Sequence, residues 1–136
     1  MILSVTTHRR SELIDITAEV RQAAGRLLPG ASGICLIYVP HTTAGVTINE
    51  SADPDVAVDL LGALDTLVPF AAGYRHREGN SAAHIKSTLV GASQTLAVDE
   101  GRLVLGTWQG IFFCEFDGPR ARKVIVQCLA DPDRRP

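Results

Sequence analysis

The sequence predicts an α+β fold, an antiparallel, β-sandwich-like core with two to three helices, in one domain spanning residues 1–136. Three observations carry that expectation. Short runs with apolar residues at every second position recur along the chain, the period of a strand with one buried face. Turns bearing glycine or proline separate these runs, as hairpins require. Sustained helical spacing of large apolar residues is confined to the stretch after Asp53-Pro54, so strands should dominate.

Taken in order, Ile2 to Thr7 and Glu12 to Ile16 read as two strands around a His8-Arg9-Arg10-Ser11 turn. Thr17 is placed to cap a helix that runs to about Leu28, with Ala18, Ala24, Leu27 and Leu28 for packing and Pro29-Gly30 as its stop. Gly33 to Val39 is apolar on both parities, which predicts a central strand covered on both faces. Pro40 interrupts it. The next run alternates, with His41, Thr43, Gly45, Thr47 and Asn49 on one face and Ala44, Val46 and Ile48 on the other. One side of that strand is therefore a polar stripe headed by a histidine.

Asp53-Pro54 is a helix entry, an N-cap followed by proline at the first helical position. Val56, Leu60, Leu61, Leu64 and Leu67 follow with helical spacing, and Pro69 ends the run. Asn80 or Ser81 can cap a short helix whose Ala82, Ile85 and Leu89 share the face expected to meet the core, and Gly91 suits its C-terminus. Gln94 to Val98 and Arg102 to Leu105 flank Asp99-Glu100-Gly101, a hairpin signal. From Trp108 to Phe116 even positions are apolar or glycine while Gln109 and Glu115 fall on the odd face, and Gly106 and Gly110 around the tryptophan suggest either a bulged strand with Trp108 in the core or the close approach of another group. Val124 to Leu129 is the last strand.

Composition removes several function classes. Hydrophobic residues at 46% and charged residues at 21% are globular proportions. No apolar run approaches the roughly 20 residues of a membrane-spanning helix, and the N-terminus lacks the apolar core of a secretion signal, so a cytoplasmic location is the default expectation. A net charge of -2 argues against a non-specific nucleic-acid binder. Two basic clusters remain, Arg120-Ala121-Arg122-Lys123 after the Gly118-Pro119 turn and the terminal Asp133-Arg134-Arg135. The first is positioned either to reach an anionic ligand or to open a solvated strand; the second reads as a frayed tail. Cys35, Cys114 and Cys128 have no CxxC spacing and read as reduced core thiols.

The chemically capable residues are unevenly placed. Apart from His8, every histidine lies between positions 41 and 84, near Asn49, Glu50, Asp53, Asn80 and Lys86. His41, His76 and His84 could supply a zinc site with an open position, although no HxH or HExxH spacing supports it and solvated loop histidines are the alternative. His84 falls off the apolar face of its helix. Lys86 points about 200° round from it at 100° per residue. Free N–H groups from Gly79 to Ala82 would favour an anion. Glu50 and Asp53, ahead of the next helix, could cap it or hold Mg²⁺ beside a diphosphate. No GxSxG, Walker or GxGxxG sequence is present.

Three blocks taken together, PHTTAGVTINESADPDV, HREGNSAAHIKSTLVG and GRLVLGTWQGIFFCEFDGPRARKV, closely resemble the YjbQ family over nearly the whole chain. The resemblance implies a compact α+β sandwich that forms a homotrimer with ligand sites near subunit boundaries. It also implies a thiamine-phosphate synthase activity, joining a hydroxymethylpyrimidine diphosphate to a thiazole phosphate with release of diphosphate. Carried over by position, it points to His41, Glu50 and His84 as catalytic, and to Asn49, Asn80, Lys86, Ser87, Thr107, Gln109 and Arg120 as substrate-binding. His76 joins His41 and His84 as a possible metal ligand, with Zn²⁺ or Mg²⁺ as the cofactor. Two other readings stand beside this one: a metal-dependent enzyme of different chemistry, and a non-catalytic protein that binds a phosphorylated metabolite.

Overall fold

The computed structural model describes residues 1–133, so the arginines of the terminal basic cluster lie outside the described residues. Two antiparallel sheets face each other. The larger takes the order β1 (Ile2–Thr6), β8 (Ala121–Ala130), β3 (Gly33–Tyr38), β5 (Ser93–Asp99), β6 (Arg102–Leu103). The smaller takes the order β2 (Glu12–Asp15), β7 (Gln109–Glu115), β4 (Ala44–Glu50). The helices are α1 (Thr17–Leu27), α2 (Pro54–Leu67) and α3 (Ser81–Val90). The α+β sandwich is as the alternation predicts.

The core between the sheets follows from strand parity. Val5, Cys35, Ile37, Val98, Val124 and Val126 turn inward from the larger sheet, and Ala44, Val46, Ile111 and Phe113 from the smaller. Val20, Ala23 and Ala24 of α1 complete it. A second apolar layer forms on the other side of the smaller sheet, where Phe112, Cys114 and Phe116 meet Ala83 and Val90 of α3 and Leu61 and Leu64 of α2. Trimming one methylene from the first core should be measurable: Ile37→Val is expected to lower stability by about 0.5–1.5 kcal/mol, read as a reduced urea midpoint at constant slope.

The three thiols are free, as expected. Cys35 lies opposite Cys128 across β3 and β8, and burial together with that neighbour pushes its thiol up to about 12. Burial does the same to Cys114.

Four local expectations are corrected. Thr17 does not cap α1. Its hydroxyl donates to Asp15 and accepts from the Ile111 N–H (2.8 Å), tying the helix to β7, while Asp15 Oδ1 accepts from the Thr17 N–H. β3 is covered on one face only: Cys35 and Ile37 are buried, whereas Ile34, Leu36 and Tyr38 remain exposed. Trp108 is not in the core but 64% exposed.

The fourth correction concerns α3. Ala82 is buried as expected, but Ile85 and Leu89 are exposed, and the helix buries Ala83, Lys86 and Ser87 in their place. Small residues win because the helix lies close on β4. A Cβ at Gly45 would stand 2.5 Å from the Gly91 carbonyl oxygen, so that strand position admits only glycine. Ser87 Oγ donates to the Ala44 carbonyl (2.7 Å), and Lys86 is carried inward to pair with Asp65 of α2. The polar stripe predicted along β4 lies only partly beneath α3: Thr43 and Gly45 are buried, whereas His41 and Thr47 are partly buried and Asn49 is exposed.

Candidate functional site

The chain crosses from β7 to β8 through Phe116-Asp117-Gly118-Pro119-Arg120, with a cis Gly118-Pro119 bond. This connection packs against the loop between β1 and β2. The Gly118 N–H donates to the Arg10 carbonyl (3.0 Å), and a Cβ on Gly118 would stand 2.3 Å from the Arg9 carbonyl oxygen. Glycine is required there by contact.

Beneath the connection is a buried polar cluster. Glu115 is fully buried and receives both Nε (2.8 Å, to Oε2) and Nη2 (to Oε1) of Arg122. The Thr7 hydroxyl (2.9 Å) and the N–H groups of Phe116 (3.1 Å) and Asp117 (2.9 Å) also donate to the carboxylate. Burial alone would push this carboxyl up, but Arg122, the Asp117 N–H and Thr7 together hold it below its ordinary value. Arg122 Nη2 reaches on to the Thr43 hydroxyl (2.8 Å), which fixes the Pro40-His41-Thr42-Thr43 connection.

Above this cluster opens a cavity of about 500 Å³ lined by Tyr38, Pro40, His41, Thr42, Thr43, Glu78, Asn80, His84, Asp117, Arg120 and Arg122. Asp117 organises one wall: its Oδ2 accepts from Asn80 Nδ2 (3.0 Å) and Arg120 Nη2 (3.1 Å), and its carbonyl accepts from Arg120 Nε (2.8 Å). Asn80 Oδ1 is buried without a protein partner, a costly state that functional sites tolerate.

His41 Nε2 accepts from the Lys123 N–H (2.9 Å), so in the neutral ring the proton sits on Nδ1. Burial, then the charges of Arg122 and Arg120, lower its pKa, with Glu115 acting the other way. An NMR titration should therefore place the His41 midpoint below the ordinary histidine value of about 6.5. The unfolded chain then binds the proton more readily, so the stability carried by neutral His41 is full above that value and falls as pH drops through it.

His84 stands where this cavity meets a second of about 410 Å³, lined by Tyr74, Arg75, His76, Ser81, His84 and Ile85. The His76 and His84 rings meet edge to face at 5.3 Å, and His76 Nε2 lies 3.8 Å from Glu78. Among the described residues no three His, Cys, Asp or Glu side chains are grouped to hold a metal ion.

Of the residues expected from sequence, His41, Asn80, His84 and Arg120 share the cavity, with His76 next to it. Lys86 and Ser87 are turned into the protein. Lys86 Nζ pairs with Asp65 and lies 4.4 Å from the Phe70 ring centroid, with Arg10 over the same ring. Asn49, Glu50, Thr107 and Gln109 cluster at the far end of the smaller sheet, where Glu50 pairs with Gln109 and the Gln109 side chain accepts from the Gly106 N–H (2.8 Å). β4 separates this group from the cavity by roughly 20 Å at a strand's rise of about 3.3 Å per residue.

Glu115 and Asp117 were not expected at the site, and Arg122 and Thr43 were noted only as members of the basic cluster and the polar stripe. A usable signal was present: Glu115 shares parity with Ile111 and Phe113, and Arg122 with Val124 and Val126, so both charges had to enter the core and neutralise each other.

Comparison with known proteins gives one consistent picture. The family model described as UPF0047 protein YjbQ-like matches residues 1–131. UPF0047 protein YugU of Bacillus subtilis is 55% identical over 128 residues, covering 93% of this chain and 96% of that protein. A UPF0047 protein of Methanocaldococcus jannaschii is 52% identical, covering 93% and 91% respectively. Among solved structures, a YjbQ/UPF0047-family protein of Clostridium acetobutylicum superposes with a TM-score of 0.92 at 49% identity, covering 95% of this chain and 99% of that one. A structure from Sulfolobus solfataricus also reaches 0.92, at 36% identity with 96% of each chain covered.

Proposed function

The chain belongs to the YjbQ-like UPF0047 family, and from that premise we propose that its cavity binds phosphorylated small molecules and carries out thiamine-phosphate synthase-type coupling. The observation that carries this reading is the meeting of His41, Asn80, His84 and Arg120, from three separate stretches of sequence, in one polar cavity. In the reaction, the bond from the pyrimidine methylene carbon to the diphosphate oxygen breaks and diphosphate leaves with the electron pair. The thiazole nitrogen then forms the new carbon–nitrogen bond.

Arg120 offers charge to a phosphate oxygen, held by Asp117 in an arc over the cavity. His41 presents its Nδ1–H as a neutral donor. His84, between the two cavities, is the group placed to pass a proton to a departing oxygen. Incubating the purified chain with the two phosphorylated precursors and Mg²⁺ tests the reading: thiamine phosphate is the expected product, and its absence rejects the transferase.

A homotrimer in the cytoplasm is part of the same proposal. Support comes from the outer face of the larger sheet, where Ile2, Ile34, Leu36, Tyr38 and Leu129 are exposed side by side on neighbouring strands. Tyr38 also lines the cavity, so a neighbouring copy on that face would reach its rim. Light scattering should give three times the chain mass, and Leu36→Glu combined with Leu129→Glu should give the monomer.

A further inference from the structure

Arg122 lines the cavity while being only 5% exposed. Its Nε and Nη2 are occupied by Glu115 and Thr43. Nη1 has no partner among the described residues and is not one of the buried unpartnered atoms, so it is open to the cavity that Arg122 lines. The contacts that hold this side chain leave one nitrogen to face whatever the cavity contains.

We propose that Arg122 is the oxyanion anchor of the cavity, donating from Nη1 to one oxygen of a phosphate monoester, and that Glu115 is its positioning residue. The proposal rests on the phosphate-binding reading above and narrows it to one of the two precursors. The charges around the cavity are matched in pairs: Glu115 offsets Arg122, Asp117 offsets Arg120, and Glu78 adds a further carboxylate to the lining. Such a site holds a single phosphate group by directed hydrogen bonds and, without a divalent metal, has no excess of positive charge for a diphosphate. The thiazole phosphate is therefore the ligand of this subsite.

Calorimetric titration with inorganic phosphate, and separately with inorganic diphosphate in the absence of divalent metal, tests this on Arg122→Met and on the double variant Glu115→Gln/Arg122→Met. The single variant leaves Glu115 buried without its cation and can fail to fold. The double variant removes both charges, while the glutamine carbonyl can still accept from the Phe116 and Asp117 N–H groups.

The wild-type chain should bind phosphate more tightly than diphosphate. The double variant, melting in the absence of ligand near the wild-type temperature, should lose phosphate affinity by about tenfold or more, the worth of a charge-assisted hydrogen bond. Unchanged phosphate affinity in the folded double variant overturns the anchor, as does tighter binding of diphosphate or no phosphate binding by the wild type. Phosphate binding lost in the variant, from a wild-type chain that shows no coupling, upholds the anchor and rejects only the transferase.

Discussion

Replacing Glu115 by alanine is expected to lower the stability of the fold by about 3–5 kcal/mol, the usual consequence of stranding one member of a buried ion pair. The removed carboxylate is the acceptor for Arg122, Thr7 and the N–H groups of Phe116 and Asp117. All of these would face a site too enclosed for ready hydration. Urea unfolding is the measurement. Glu115→Gln/Arg122→Met should recover most of the loss, because neither charge then remains alone; a double variant as unstable as Glu115→Ala would mean the pair is not the cause.

The same pair should make the fold sensitive to acid. Because the Glu115 pKa is held below its ordinary value, its stabilisation is complete above the usual carboxylate range and is lost as pH falls through the depressed folded value. The wild-type chain should therefore lose stability on acidification more steeply than the double variant.

The second large effect concerns chemistry. His84→Ala should reduce coupling of the pyrimidine diphosphate and thiazole phosphate by about a hundredfold or more, the low end of what a positioned proton donor contributes. His84 is only partly buried and packs edge to face with the exposed His76, so the substitution should leave the melting temperature close to wild type. Unchanged turnover would remove His84 from the mechanism. A loss matched by an equal loss of folded protein would assign it a structural part only.

Strand parity made part of the sandwich readable in the sequence: burial alternates along β8, whereas much of β4 and nearly all of β7 are buried on both faces. The same rule failed for α3, where Ile85 and Leu89 looked like the packing face. Close approach of the helix to Gly45 selects alanines, and the long Lys86 stem reaches an acidic partner on α2 that no local pattern displays. The two faces of β3 posed a related problem: both are apolar, but the outer one has no cover among the described residues.

The candidate site was only partly legible for a similar reason. His41, Asn80, His84 and Arg120 could be picked out as residues in motifs, but their meeting depends on the connection through Gly118-Pro119 and on Thr43 being held by Arg122. Glu50 and Gln109 come from the same blocks yet stand at the other end of β4, because a seven-residue strand carries its two ends far apart.

The central claim, that the cavity recognises a phosphate ester, is tested most directly by calorimetric titration of the wild-type chain with thiazole phosphate and with the same thiazole lacking its phosphate. The structure predicts binding of the phosphate ester at least about tenfold tighter, as expected for a ligand that gains charge-assisted hydrogen bonds to arginine. Equal affinity for the two compounds would contradict it.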